Sequence, residues 1–145
     1  MAGFTPTVRA IVAQIIGGMI GVWAAHLMFE LPVWQVSLHA RSGAGQWLAE
    51  FIATFGLLLA IFGCAARNVA AIPYAVGLYI TAAYWFTAST SFANPAVTIA
   101  RSVSDTFAGI APSGVVAFIA AQLAGMVVAV LLARWFWTST KTANA

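Results

Sequence analysis

A chain of 145 residues with 63% hydrophobic residues, only 6% charged residues and a mean hydropathy of +0.97 has too little charge to be an ordinary water-soluble domain. The composition leaves a polytopic membrane protein. The net charge of +3 rests on six basic residues spread along the chain, so the basic balance carries no nucleic-acid signal and no nucleic-acid partner is expected.

Crossing the hydrocarbon core takes roughly 20 residues, within a range of about 17 to 25. The first run of that length covers about 8–29. It carries Gln14 and His26 and is too long and too polar for the apolar core of a cleaved signal, so it predicts a spanning helix. Gly17 and Gly21 form a GxxxG pair that permits close approach of another helix. The second run, about 46–65, holds Glu50 inside QWLAEFIATFG, and an ionisable group at such a depth marks either function or a paired buried contact. Cys64, the single cysteine, ends this run and reads as a small buried hydrophobe. The third run, about 70–86, is the shortest, and the fourth covers about 113–137 with Gln122 and Gly125. Gly43, Gly45, Gly109 and Pro112 punctuate the loops, and the whole chain, 1–145, reads as one membrane domain.

Between the third and fourth runs lies SFANPAVTIAR. Asparagine is among the best N-caps and proline is preorganised for the first helical position, so Asn94-Pro95-Ala96 predicts a helix start. The apolar stretch that follows is too short to span, and a re-entrant half-helix over about 94–104 is the fitting element. Its free N–H groups and positive dipole end would be tolerated only facing protein or a water-filled cavity, which points to a pore or a solute site. Asn94 then has two readings, a cap alone or a cap that also offers its amide to a passing water or hydroxyl.

Basic residues are enriched in cytoplasmic loops. With both termini inside, Arg9, Arg67, Arg134 and Lys141 are cytoplasmic, while Arg41 and Arg101 lie outside with Glu30 and Asp105. The chain also repeats itself. The segment starting at Val8, VRAIVAQIIGGMIGVWAAHLMF, aligns with VAFIAAQLAGMVVAVLLARWFW starting at Val116, and seven of 22 pairs are identical, among them Gln14 with Gln122 and Gly17 with Gly125. Three crossings separate the two helices, so they run in opposite directions, as in inverted-topology repeats. The second repeat is then present in full, and the first only by its last helix.

The NPA start, the glutamate in QWLAEFIATFG and the AQxxG pattern of the last helix together resemble the aquaporin and aquaglyceroporin channels, the major intrinsic proteins. The resemblance covers nearly the whole chain: the first run resembles the family's third helix, and the rest its second half. It implies an all-α membrane protein, an aquaporin-like inverted-repeat helical bundle of four transmembrane helices plus one re-entrant half-helix, incomplete at its N-terminus. It further implies that Glu50 accepts hydrogen bonds from the backbone of the re-entrant loop, and that Pro95 and Ala96 are packing residues. Gln14 and Gln122 read as interhelical hydrogen-bonding residues, with Gly17, Gly21 and Gly125 as packing positions.

Selectivity is where the chain departs from the family pattern. Most members carry an arginine directly after NPA; here that position is Val97. Arg101 lies one turn further on the same face and reads either as a displaced filter cation or as an interfacial anchor paired with Asp105. Tyr84 falls at the filter position of the family's fifth helix. A valine filter suits water and small neutral solutes such as glycerol or undissociated metalloid hydroxides. His26 and His39 stand apart from other ligating side chains, so no metal and no cofactor are expected. No nucleophile with its base and no phosphate loop is present, and the chain does not read as an enzyme. The expected function is an NPA-type channel in the cell membrane, both termini cytoplasmic, as a tetramer by family resemblance. The alternative is a non-conducting half or partner subunit that needs a complementary half.

Overall fold

The computed structural model describes residues 4–142, with side chains described from 6 to 137; the expectation for Lys141 lies outside the described side chains. Every described element is helical: α1 Phe4–Met28, α2 Ala44–Arg67, a 3-10 turn Val69–Ala71, α3 Ile72–Phe86, α4 Pro95–Arg101 and α5 Pro112–Thr142. Four stretches, Pro6–Met28, Ala44–Arg67, Val69–Phe86 and Pro112–Trp137, are long and apolar enough to cross a membrane, matching the four expected spans.

The half-helix corrects the expectation. It is α4, seven residues from Pro95 to Arg101, and not a helix over 94–104. Its end is set by contacts distant in sequence. Ser102, Val103 and Ser104 donate to carbonyls three residues back, so the backbone tightens out of the α form. The Ser102 carbonyl then accepts from Ser37 N–H at 2.9 Å, and the Arg101 carbonyl from Ile110 N–H at 3.3 Å. The orphan carbonyls of the helix end are thereby satisfied by a neighbouring segment and by the chain's own return.

The chain divides into two compact units. The first comprises Met1–Ser42 and Asn94–Ile119. Within it α1 lies close against α4: a Cβ on Gly18 would come within 3.1 Å of the Ala100 Cβ. The α1 helix closes with a Schellman motif, Leu31 N–H donating to the His26 carbonyl (2.8 Å) and Glu30 N–H to the Leu27 carbonyl (3.3 Å). Glu30 occupies the left-handed position there, at φ 55°, where glycine is usual. The irregular segment 29–42 is then zipped to 102–111. Leu38 N–H donates to Asp105 Oδ1 at 2.8 Å, Asp105 N–H to Gln35 Oε1 at 2.9 Å, and Ala111 N–H to the His39 carbonyl at 2.8 Å. Arg41 is buried, with Nε donating to the Gly109 carbonyl (2.8 Å) and Nη2 to that of Phe107 (2.7 Å). A Cβ at Gly109 would collide with the Ser104 carbonyl, which explains the glycine at this crossing.

The second unit comprises Gly43–Ala93 and Ala120–Ala145. Gly125 of α5 rests on α2 so closely that a Cβ would strike the Phe51 carbonyl. On another face of α2, Gly56 makes room for the Tyr79 ring of α3, whose hydroxyl donates to the Ile52 carbonyl at 3.3 Å. Asn68 ends α2 and opens the 3-10 turn, its side chain accepting from Ala70 N–H at 3.1 Å.

Candidate functional site

The segment between α3 and α4 begins with Thr87, whose hydroxyl returns to the Ala83 carbonyl at 2.7 Å. Three of its residues adopt positive φ although none is glycine: Thr90 (60°), Ser91 (47°) and Ala93 (49°). Each such conformation costs an L-residue about 1 to 2 kcal/mol, so surrounding contacts must hold the segment in place. The holding group is Glu50 of α2, fully buried. Its Oε1 accepts from Phe92 N–H at 2.8 Å and its Oε2 from Ala93 N–H at 2.9 Å. Gln122 of α5, also buried, donates Nε2–H to Oε2 at 2.6 Å. All three donors are neutral, and the short charge-assisted bonds offset the desolvation of the carboxylate. Gln46 Nε2 adds a bond to the Ala88 carbonyl at 2.9 Å.

The strained segment delivers the chain to Asn94, which is extended at φ −155° and ψ 125° and caps α4. Its Oδ1 accepts from Ala96 N–H at 2.8 Å, and its carbonyl accepts both Thr98 N–H and Thr98 Oγ1–H at 2.9 Å. With the oxygen committed to the cap, the Nδ2 amide is left as a donor, directed at Gln14 Oε1 over a long 3.4 Å. Pro95 takes the first helical position. Ala96 is buried, while Val97 and Arg101 are half-buried, one turn apart on α4. Arg101 lines a largely apolar cavity of about 530 Å³ with His26, Ser104, Thr106, Phe107 and Phe29.

The structure therefore brings Gln14, Asn94, Val97 and Arg101 into one unit, and Glu50, Gln122 and Gly125 into the other. Tyr84 belongs to the second unit, half-buried on α3 with its ring edge-on to Trp85 at 6.0 Å. Gly17 and Gly21 have open space around them, with nothing within 4 Å of a Cβ added at either, and Gly18 is the glycine of α1 that packs on α4. Asp105 uses Oδ1 for the backbone of Leu38. Among the described residues, no three His, Cys, Asp or Glu side chains gather as a metal site.

Two partnerships escaped sequence reasoning. The repeat pairs Gln14 with Gln122, yet only coordinates reveal that each serves a polar group of its own unit, Asn94 and Glu50 respectively. His26, solitary in sequence, is buried and bonded at both ring nitrogens, to the Val33 carbonyl and to Ser104 Oγ, each at 3.0 Å. A histidine just inside the end of a helix was the one signal for it.

Comparison with known proteins agrees with the resemblance drawn from the motifs. Residues 44–145 match the sequence profile of the family described as major intrinsic protein. The aquaglyceroporin AqpS of Rhizobium meliloti (strain 1021) is 51% identical over 125 residues, which are 86% of this chain and 54% of that relative. The chain thus spans about half the length of the curated relative it matches. No solved structure matches it. With buried Glu50 clamping the segment that leads into an Asn94-capped NPA helix, and with the profile covering most of its length, the chain belongs to the major intrinsic protein family.

Proposed function

We infer that the chain builds the wall of a transmembrane channel that passes water and small uncharged solutes of the glycerol type by facilitated diffusion. The observation that carries this reading is the division of labour within Asn94: Oδ1 is spent on the cap, and Nδ2–H remains a donor for a solute oxygen. A seven-residue helix has a weak dipole, so the polarised amide and not the helix end is the main contact for a neutral oxygen. Val97, one turn before Arg101, gives the path an apolar wall that admits a carbon backbone or an undissociated metalloid hydroxide, and the Arg101 guanidinium repels cations. Passage makes and breaks no covalent bond. The name of the Rhizobium relative, an aquaglyceroporin, supports the solute class. A cell membrane location with cytoplasmic termini and a tetrameric assembly accompany this reading.

The chain matches 54% of that relative's length, and in a second reading these helices form only part of the lumen wall, the rest coming from residues outside this stretch, on the same chain or on another. Stopped-flow light scattering of liposomes holding the 145-residue chain separates the two. Water or glycerol flux above empty liposomes that Asn94→Asp abolishes supports a self-sufficient channel. Flux equal to empty liposomes, with helical protein inserted, rejects it in favour of the second reading.

A further inference from the structure

Two contacts fix how α2 and α5 lie side by side in the second unit. A Cβ on Gly125 would strike the Phe51 carbonyl, and a Cβ on Gly63 would meet the Trp137 ring at 3.5 Å. Twelve residues separate Phe51 from Gly63, and twelve separate Gly125 from Trp137, so the two helices run parallel and in step. Their spanning stretches, which close at Arg67 and at Trp137, therefore end on the same side of the unit. Between the helices at this end lies a groove of about 290 Å³ lined by Phe62, Val130, Ala133, Arg134 and Trp137. The four residues from α5 are spaced by three, one and three positions and form one helix face. At about 1.5 Å per residue that face reaches from the end of the span to about 10 Å inside it. The floor of the groove is then at acyl-chain depth, and the exposed Arg134 guanidinium stands near the level of the headgroups.

Arg134 makes no hydrogen bond or ion pair with the described residues. Helix α5 continues past it to Thr142, so the guanidinium is not spent on the carbonyls of its own helix end. Of the three Asp and Glu residues of the chain, only Glu50 belongs to this unit. It lies twelve residues before Phe62, about 18 Å back along α2, and holds the Phe92 and Ala93 N–H groups. A cation at the mouth of an apolar groove, with its unit's one acidic side chain used elsewhere, calls for an anion that carries apolar surface with it. We propose that the groove is a binding site for an anionic phospholipid, with an acyl chain along Val130 and Ala133 between the Phe62 and Trp137 rings and the phosphate on Arg134. The guanidinium fork matches two phosphate oxygens, and the indole of Trp137 suits the interface between chain and headgroup. A zwitterionic lipid brings its own ammonium beside the phosphate, whereas a phosphatidylglycerol-type headgroup brings a net negative charge, so the site selects the latter. A protein segment seated here would have to carry a carboxylate to the same depth; a lipid places its phosphate there by its own geometry.

The test reads lipid contact and not flux, so it stands apart from the channel reading. The full chain is reconstituted in phosphatidylcholine vesicles that contain a minor fraction of phosphatidylglycerol. Bromine, which quenches tryptophan on contact, is carried on the acyl chains of one lipid or of the other, at the same mole fraction. Quenching of Trp137 is taken as the difference between each protein and its Trp137→Phe counterpart. Brominated phosphatidylglycerol is expected to quench as if it occupied the site about fivefold more often than its share of the bilayer. Arg134→Gln, at an exposed position, should abolish that preference. Arg67→Gln makes the same change of charge at the end of α2, outside the groove, and should keep it. Val130→Phe fills the groove without touching the charge and should lose quenching by both lipids. Equal quenching of the native chain by the two lipids overturns the proposal without recourse to any variant, and means that protein or any available lipid covers the groove. A preference that survives Arg134→Gln overturns it as well, and so does one lost equally in Arg67→Gln, which would reflect surface charge alone.

Discussion

Gln122 and the Ala93 N–H share one oxygen of Glu50, Oε2, so helix α5 and the strained segment before Asn94 are held by the same carboxylate atom. Replacing Glu50 by Gln keeps the shape but turns one of the two accepting oxygens into a donor. One buried N–H, or the Gln122 amide, then faces another donor, at a cost of about 2 to 5 kcal/mol. Gln122→Leu removes only a donor and should cost less, about 1 to 2 kcal/mol. Denaturant titration of detergent-solubilised protein ranks the two, and exchange at Phe92 and Ala93 amides locates the damage. Glu50→Gln as stable as the native chain would remove the carboxylate from its holding role.

The repeat makes Gly17 and Gly125 equivalent in sequence, and the structure makes them unequal. A methyl on Gly125 would strike the Phe51 carbonyl, a backbone atom that cannot swing aside, whereas one on Gly17 meets open space. Gly125→Ala should therefore destabilise by about 1 to 3 kcal/mol through overpacking, and Gly17→Ala should be neutral or stabilise by up to about 1 kcal/mol through helix propensity. Thermal unfolding in the same detergent decides it. Equal losses at both positions would mean that Gly17 packs on something outside the described residues.

What the sequence could disclose follows from the range of the forces involved. Apolar runs of spanning length and an Asn-Pro helix start are local, and the four spans and the Asn94 cap lie where the residues put them. The end of α4 is not local. It depends on Ser37 meeting Ser102 and on His26 meeting Ser104, 78 positions apart, and no propensity at Ser102 or Val103 announces it. Positive φ at Thr90, Ser91 and Ala93 was equally hidden, because the usual glycine signal is missing and the strain is held by Glu50. The glycine that packs on α4 is Gly18, one position from the GxxxG pair, since a shift of one residue turns the helix by about 100° and the sequence pattern does not say which face meets α4.

Arg41 reads as a loop cation in sequence and is a buried clamp in the structure. Its fork bonds the carbonyls of Gly109 and Phe107, so Arg41→Leu would strand two acceptors and cost about 2 to 4 kcal/mol. Lysine, a point donor on a flexible stem, should recover about half of that, because it satisfies one carbonyl at a time. Proteolysis of the loop around Phe107 gives a direct reading. Cleavage in Arg41→Leu no faster than in the native chain would place the restraint elsewhere.

Asn94 allows its two tasks to be separated by chemistry. Aspartate is as good an N-cap as asparagine, so Asn94→Asp keeps the oxygen that accepts Ala96 N–H and should change stability by less than about 0.5 kcal/mol. It also exchanges the Nδ2–H donor for an oxygen, leaving no donor for a solute, while the exposed Gln14 amide can turn its own Nε2–H toward that oxygen. Asn94→Ala loses both the cap and the donor and should cost about 1 kcal/mol of stability besides. If Asn94 only caps, flux should follow stability, falling in the alanine variant and surviving in the aspartate one. If Nδ2 meets the solute, flux falls in both while only alanine is destabilised. Where the chain conducts only with a complementary half, the same comparison made in the assembled channel gives the same two patterns, because the cap lies within α4 and depends on no partner.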